Sequence, residues 1–171
     1  MSERTGLLLL DGALVPGRVS FEGRITALER LPSVANGAPV IAPGLIDLHV
    51  HGYAGRGPED DLAGFVRALA AAGTTACLPT LFPDAPEPLG RLARSIWERR
   101  EALGGGARVL GLHLEGPFVN PKRAGALPSE RLHAPSPAAL KALLGGARPE
   151  ERGIRQVTVA PELPGAPELI A

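Results

Sequence analysis

From Leu45 onward the sequence alternates between short apolar segments typical of β-strands and longer segments with helical spacing. The strand-like segments are almost continuously apolar, which is typical of parallel strands whose two faces are both covered. This alternation predicts a parallel sheet with helices packed on it, the α/β class. The predicted strands span residues 45–52, 74–81, 107–116 and 153–163, and the predicted helices span 60–73, 88–103 and 136–146.

Residues 1–42 follow a different pattern, in which short apolar runs are separated by turn residues such as Asp11-Gly12 and Glu22-Gly23. Breaks of this kind between apolar runs are typical of a small β meander. We therefore predict two domains. Residues 1–42 form the N-terminal part of a small β domain of the sandwich type, and residues 43–171 form a partial (β/α) barrel.

The number of predicted strands limits how much of a barrel these residues can form. A closed (β/α)8 barrel takes about 250 residues and eight strands, whereas this chain has 171 residues and only about half of those strands. The expected fold is the first half of a TIM-like barrel, about strands 1–4, preceded by the small β segment.

Charge balance and hydropathy exclude several classes of partner. Eighteen basic and eighteen acidic residues give a net charge of zero, so binding to nucleic acid is not expected. No apolar run approaches the roughly 18 residues of a transmembrane helix, and the N-terminus lacks the long apolar stretch of a signal peptide, so no membrane partner is expected. The single cysteine, Cys77, excludes an internal disulfide and favours a cytoplasmic location.

Two histidines close the first strand of the barrel segment. His49 and His51 are two positions apart, so their imidazoles point to the same side of the strand. Two neutral imidazoles near a strand end can bind one divalent ion. The alternative is a pair of strand histidines that only form hydrogen bonds with their neighbours.

Glu115 ends the third strand, directly before Gly116-Pro117. The active sites of α/β barrels lie at the carboxyl ends of the strands, where this carboxylate would meet His49 and His51. Nitrogen and oxygen donors of this kind suit zinc, iron or a similar ion. The alternative is a structural glutamate paired with an arginine.

Other polar residues are weaker candidates for a site. Cys77 lies in mid-strand and is expected to be a buried, inert thiol. His113 shares a face with Glu115 and is expected to pack behind the ligands or in the core. Lys122 and Arg123 follow the Glu115 strand, where they could meet an anionic substrate or simply be solvated, and His133 is expected to be exposed.

Four segments together resemble the amidohydrolase superfamily and, within it, the family of N-acetylglucosamine-6-phosphate deacetylases. "APGLIDLHVHG" is similar to a first-strand signature shared across the superfamily, and "GLHLEGPFVNPKRAGA" is more specific to the deacetylases. "GTTACLPTLFP" and "VTVAPEL" fall at matching places. The resemblance covers essentially the whole chain, but only the N-terminal half of the family's length.

The resemblance implies roles for five residues. Glu115 matches the family's main metal-binding glutamate, and His49 and His51 match a pair that holds a second ion in many members, so one or two divalent ions, zinc or iron, are expected. Ala126 and Leu127 match the stretch that contacts the sugar, although most relatives have His or Gln where Leu127 stands. Two further metal-binding histidines, the catalytic aspartate and the phosphate-binding residues would come from beyond residue 171.

The implied activity is metal-dependent hydrolysis of an amide in amino-sugar catabolism. It would convert the phosphosugar N-acetylglucosamine 6-phosphate into glucosamine 6-phosphate and acetate, in an enzyme that is a homodimer when complete. The isolated 171-residue chain would be inactive. Two alternatives are another enzyme of the superfamily, such as a dihydroorotase or a deaminase, and a non-catalytic truncated fragment.

Overall fold

The computed structural model describes residues 1–170. The chain divides into two compact units, of which the first spans Met1–Gly44 and the second begins at Leu45. The two domains predicted from the sequence, a small β domain of residues 1–42 and a partial barrel of residues 43–171, stay a prediction. Residue 171 lies outside the described residues.

The first unit is a four-stranded sheet with strand order β3-β2-β1-β4. Strands β1 to β3 form an antiparallel meander, and β4 pairs with β1 in parallel. The turn between β1 and β2 is Asp11-Gly12, and both residues have positive φ, 50° and 79°, as a tight hairpin turn requires. The strands are β1 (Ser2–Leu10), β2 (Ala13–Phe21), β3 (Ile25–Arg30) and β4 (Val40–Ile41).

The second unit is a parallel sheet with strand order β5-β6-β8-β9, and the short strand β7 also pairs with β6. Consecutive parallel strands that lie side by side, with helices between them, are the arrangement of a (β/α) barrel. The strands are β5 (Leu45–Val50), β6 (Thr74–Leu81), β7 (Arg108–Val109), β8 (Leu112–Leu114) and β9 (Ile154–Val157).

Within residues 1–170, four α-helices belong to the second unit, and short 3-10 turns connect several of the elements. Asp61 caps α1 by accepting a hydrogen bond from the backbone N–H of Gly64, and Ser136 caps α3 by accepting one from Ala139. None of the described helices has the length and apolar character needed to cross a membrane. The helices are α1 (Leu62–Ala71), α2 (Pro86–Arg99), α3 (Pro137–Leu144) and α4 (Ala166–Ile170).

The strand predicted at 107–116 is divided into β7 and β8 by a break at residues 110–111; both pieces pair with β6, and only β8 also pairs with β9. The N–H of Leu110 still donates to Cys77 of β6, whereas the N–H of Leu112 donates to Gly153 at the start of β9. The strand predicted at 153–163 is also shorter than expected, because β9 ends at Val157 and the chain turns at Pro161.

The core of the second unit lies between the parallel sheet and its helices. Phe65 of α1, Ile96 of α2 and Leu81 and Leu112 of the sheet are fully buried members of one apolar cluster. Burying a side chain of this size contributes about 1.5–3 kcal/mol relative to leaving it in water. This packing fixes the strands whose carboxyl ends carry the candidate site residues.

Candidate metal centre

The two histidines predicted from the sequence lie at the carboxyl end of β5. His49 is within the strand and His51 follows its last residue, Val50. Their side chains point to the same side, and their Nε2 atoms are 3.3 Å apart. The backbone N–H of His49 donates to the carboxylate of Asp47, two residues earlier in the same strand. This hydrogen bond helps to fix the backbone that carries the histidine pair.

Glu115 follows the last residue of β8 and reaches the histidines across the end of β6. Its Oε2 lies 2.9 Å from Nε2 of His51, and its Oε1 lies 3.5 Å from Nε2 of His49. Its backbone N–H donates to the carbonyl of Leu81 at the end of β6, so the backbone at the base of this side chain is held by the sheet.

Within residues 1–170, these three residues form the one group of at least three His, Cys, Asp or Glu side chains that could hold a metal ion. Donors at the corners of a tetrahedral zinc site, with bonds of about 2.0–2.1 Å, would lie about 3.3 Å apart. The two Nε2 atoms are 3.3 Å apart, close to that value, and each of them lies within 3.5 Å of one of the two Glu115 oxygens. Nε2 of each histidine faces the Glu115 carboxylate, and Nδ1 of His51 is buried without a hydrogen-bond partner among the described residues. The donor set therefore fits a divalent ion.

Aromatic rings surround the histidine pair. Phe82, which follows β6, stacks on the ring of His51 with centroids 3.9 Å apart and an interplanar angle of 14°. His113 packs edge-to-face on His49, with centroids 4.7 Å apart and an angle of 84°. Both histidines of the pair are thus held by neighbouring rings.

His113 is buried behind the cluster, as the sequence predicted. Its Nδ1 lies 3.2 Å from the hydroxyl of Thr80, and its Nε2 lies 2.9 Å from the hydroxyl of Thr158. Burial lowers the pKa of His113, and the charge of a protonated His49 would lower it further. Both nitrogens of His113 thus lie within hydrogen-bond distance of threonine hydroxyls, and His113 is not one of the three converging donors.

The remaining sequence candidates lie apart from this cluster. Ala126 is exposed and Leu127 half-buried, on a loop in which the N–H of Leu127 donates to the carbonyl of Ala124. Among the described residues no hydrogen bond or ion pair links these two positions to the cluster. Lys122 and Arg123 are exposed.

Two further candidates from the sequence, Cys77 and His133, lie in the core and on a loop. Cys77 is fully buried, as predicted, and burial raises the pKa of its thiol to about 12. His133 is half-buried rather than exposed, because it lines an apolar cavity of about 230 Å³ formed by the loops around Val119, Leu132 and Leu163.

Sequence reasoning missed three residues that contact the predicted ones. Thr80, Phe82 and Thr158 were not candidates, although each contacts His51 or His113. Thr80 carried a weak signal, since it is a hydroxyl residue near the end of an apolar strand. Phe82 and Thr158 carried none, because their contacts join strands that are distant in sequence.

The Amidohydrolase family is matched by residues 40–167. N-acetylglucosamine-6-phosphate deacetylase of Homo sapiens is 36% identical over 166 residues, which cover 92% of this chain and 39% of the human protein. N-acetylgalactosamine-6-phosphate deacetylase of Escherichia coli O157:H7 is 34% identical over 155 residues, which cover 87% of this chain and 40% of that protein. The chain thus spans about two fifths of the length of these relatives.

Solved structures of deacetylases are also similar to this chain in fold. The crystal structure of N-acetylglucosamine-6-phosphate deacetylase from Thermotoga maritima aligns with a TM-score of 0.82 and 25% identity, and the match covers 99% of this chain and 45% of that one. The small sheet followed by a parallel α/β sheet therefore matches the N-terminal part of this fold. This likeness confirms the fold class and the resemblance inferred from the sequence motifs.

Proposed function

This chain belongs to the amidohydrolase family, and from that premise we propose that its second unit supplies metal-binding residues to an enzyme that deacetylates an N-acetylated amino-sugar phosphate. The observation that carries the proposal is the cluster of His49, His51 and Glu115, in which three donors converge from β5 and β8. Members of this family depend on metal ions, and the cluster offers a nitrogen and oxygen donor set that suits zinc or iron.

The three side chains would hold the ion, and their surroundings would keep them in position. When bound, a divalent ion of this kind activates water and polarises the carbonyl of an amide. Glu115 offsets part of the cation's charge, and the Phe82 ring covers one face of His51. The reaction breaks the C–N bond of the acetamide and releases acetate and a free amine.

The general acid–base residue is unassigned within residues 1–170. Glu115 is the one carboxylate of the cluster in this range, and the proposal uses it as a metal ligand. The family resemblance implies an aspartate in a later part of the barrel, where it would move a proton from water to the leaving amine.

N-acetylglucosamine 6-phosphate is the proposed substrate, because the human and Thermotoga maritima relatives carry its name. N-acetylgalactosamine 6-phosphate is a second candidate, because a relative of nearly equal identity is named for it. Ala126 and Leu127 would contact the sugar, on the loop that follows the Glu115 strand. We further propose a homodimer when the barrel is complete, and a cytoplasmic location.

Acetate release by the barrel-length protein that contains these residues tests the proposal. The protein should act on at least one of the two acetamido phosphosugars and prefer it to the unphosphorylated sugar. Glu115→Gln should remove bound metal and most activity, whereas Glu87→Gln, at an exposed position on α2, should change neither. A protein that ignores both sugars but hydrolyses dihydroorotate or deaminates a nucleobase would contradict the proposal.

A further inference from the structure

A hydrogen-bonded chain crosses all four main strands of the second unit just below the metal-binding cluster. It runs from the backbone N–H of Val50 to the hydroxyl of Thr80, then to the ring of His113 and finally to the hydroxyl of Thr158. Val50 ends β5, Thr80 lies in β6, His113 lies in β8 and Thr158 follows β9. Each strand therefore contributes one group.

The chain begins where the backbone ladder between β5 and β6 is irregular. Val50 pairs with Pro79, and the register shifts between Asp47 and Val50. Pro79 has no N–H to donate to a neighbouring strand. The hydroxyl of Thr80 accepts the N–H of Val50 at 2.9 Å and so anchors the residue between the two candidate histidine ligands.

The contacts of Thr80 assign the tautomer of His113. The Thr80 hydroxyl has one proton and two lone pairs, and it lies 2.9 Å from the N–H of Val50, 3.3 Å from the carbonyl of Leu78 and 3.2 Å from Nδ1 of His113. All three contacts are hydrogen bonds only if Thr80 donates to Leu78 and accepts from both Val50 and His113. Nδ1 of His113 then carries the proton, and Nε2 accepts from the hydroxyl of Thr158.

Both nitrogens of His113 are then occupied, so its contribution to the cluster is through its ring. His113 is 1% exposed, and its ring meets the ring of His49 edge-to-face. We propose that Thr80, His113 and Thr158 form a positioning chain that holds His49 in its metal-binding orientation and fixes the end of β5 relative to β8. This inference rests on the proposed metal site, and assigns the three residues a role in metal affinity rather than in bond breaking.

The expected effect is on metal affinity, because groups that orient a ligand typically change it by about 10–100-fold when removed. Thr158 is the best position for a test, because Thr158 is exposed and its substitution leaves the core intact. Thr158→Val removes the hydroxyl at nearly constant shape, and Thr158→Ser retains it. Thr75→Val is a matched control, because Thr75 is an exposed threonine of β6 outside the chain.

The experiment is a titration of the barrel-length protein that contains these residues, and of its variants, with Co²⁺, followed by visible absorption, with circular dichroism as a check of folding. Thr158→Val and Thr80→Val should bind cobalt about 10–100-fold more weakly than the parent, and Thr158→Ser and Thr75→Val should bind it equally well. Equal affinity in a folded Thr158→Val variant would overturn the positioning chain while leaving the metal site intact. A parent protein that binds no cobalt, or whose binding survives Glu115→Gln, would overturn the proposed metal site and this inference with it.

A second measurement does not depend on metal. Long-range ¹H–¹⁵N spectra of the metal-free protein should report a proton on Nδ1 of His113 in the parent and in Thr158→Ser. A proton on Nε2 in the parent would contradict the assigned direction of the hydrogen bonds and overturn the chain as proposed.

Discussion

At the scale of single residues, Glu115 explains how a carboxylate is tolerated at the end of a buried strand. Its side chain is only 23% exposed, and a partly buried carboxylate is costly unless it is paired or bound. Within the described residues its partners are His49 and His51, whose Nε2 atoms face the same point. A divalent ion at that point would neutralise the carboxylate and use the lone pairs of both rings.

Removing the histidines should therefore remove metal. We expect His49→Ala combined with His51→Ala to remove only a second, weaker equivalent of cobalt from the barrel-length protein, because these two rings match the pair that holds a second ion, whereas Glu115 matches the main ligand. His133→Ala is the matched control, because this histidine lies on a loop outside the cluster, and it should leave binding unchanged. An unchanged number of bound cobalt equivalents after the double substitution would place the second ion elsewhere.

The Cys77 thiol should make stability fall at alkaline pH. Its folded pKa is raised from 9.0 to about 12 by burial and by the nearby charge of Asp47. The protonated thiol therefore contributes stability below pH 9.0 that is lost as the pH rises toward about 12. Urea unfolding across this range should show a smaller alkaline loss in Cys77→Ala than in the parent, and an equal loss in both would contradict the prediction.

Leu127 tests the proposed sugar contact. In the barrel-length protein, Leu127→Gln should leave the affinity for the phosphosugar unchanged or improve it, because a polar group at this position can hydrogen-bond to a hydroxyl of the sugar. The Michaelis constant measured beside Leu132→Gln, on the same loop region, separates this effect from a general change of the loop. A marked rise in the constant for Leu127→Gln alone would argue that the apolar side chain itself contacts the substrate.

At the scale of elements, α3 is delimited by capping residues at both of its ends. Ser136 caps α3 through its side-chain oxygen, Pro137 occupies the first helical position, and Gly145 ends the helix with a φ of 56°. A left-handed residue at a helix end is most easily supplied by glycine. Local chemistry therefore sets the limits of α3 without help from distant parts of the chain.

Removing that cap should destabilise α3 measurably. Ser136→Ala is expected to lower the free energy of unfolding by about 1 kcal/mol, because the N–H of Ala139 loses its acceptor. Ser129→Ala is the matched control, since Ser129 is an exposed serine in a 3-10 turn, and should have a much smaller effect. Urea denaturation of both variants measures the difference, and equal effects would contradict the role of the cap.

At the scale of the whole molecule, the parallel sheet is open. Within residues 1–170, β5 and β9 are its edge strands, and the apolar side chains of Leu45, Ile46 and Leu48 on β5 are more than half exposed. Unpaired strand edges with apolar side chains promote association with other chains. The same openness leaves the candidate metal centre with donors from only two strands.

Residues 1–171 assayed alone should therefore not turn over substrate. The cluster has one carboxylate within the described residues, and loss of a general acid–base alone typically costs about 10²–10⁴-fold in rate. We expect acetate release at least this far below that of a barrel-length control, together with self-association in light scattering. A monodisperse monomer with control-level turnover would mean that the catalytic groups lie within these residues.

The sequence alone determined the elements and the identity of the metal-binding candidates, because both depend on local patterns. Period-two spacing puts His49 and His51 on one side of a strand, and the Gly116-Pro117 break marks Glu115 as a strand-end residue. The tertiary structure decided which groups meet. His51 and Glu115 are 64 residues apart in sequence but 2.9 Å apart in space, because β5 and β8 both pair with β6. Contacts that cross strands in this way depend on strand order and register, and so the roles of Phe82, Thr80 and Thr158 became visible only once the sheet was assembled.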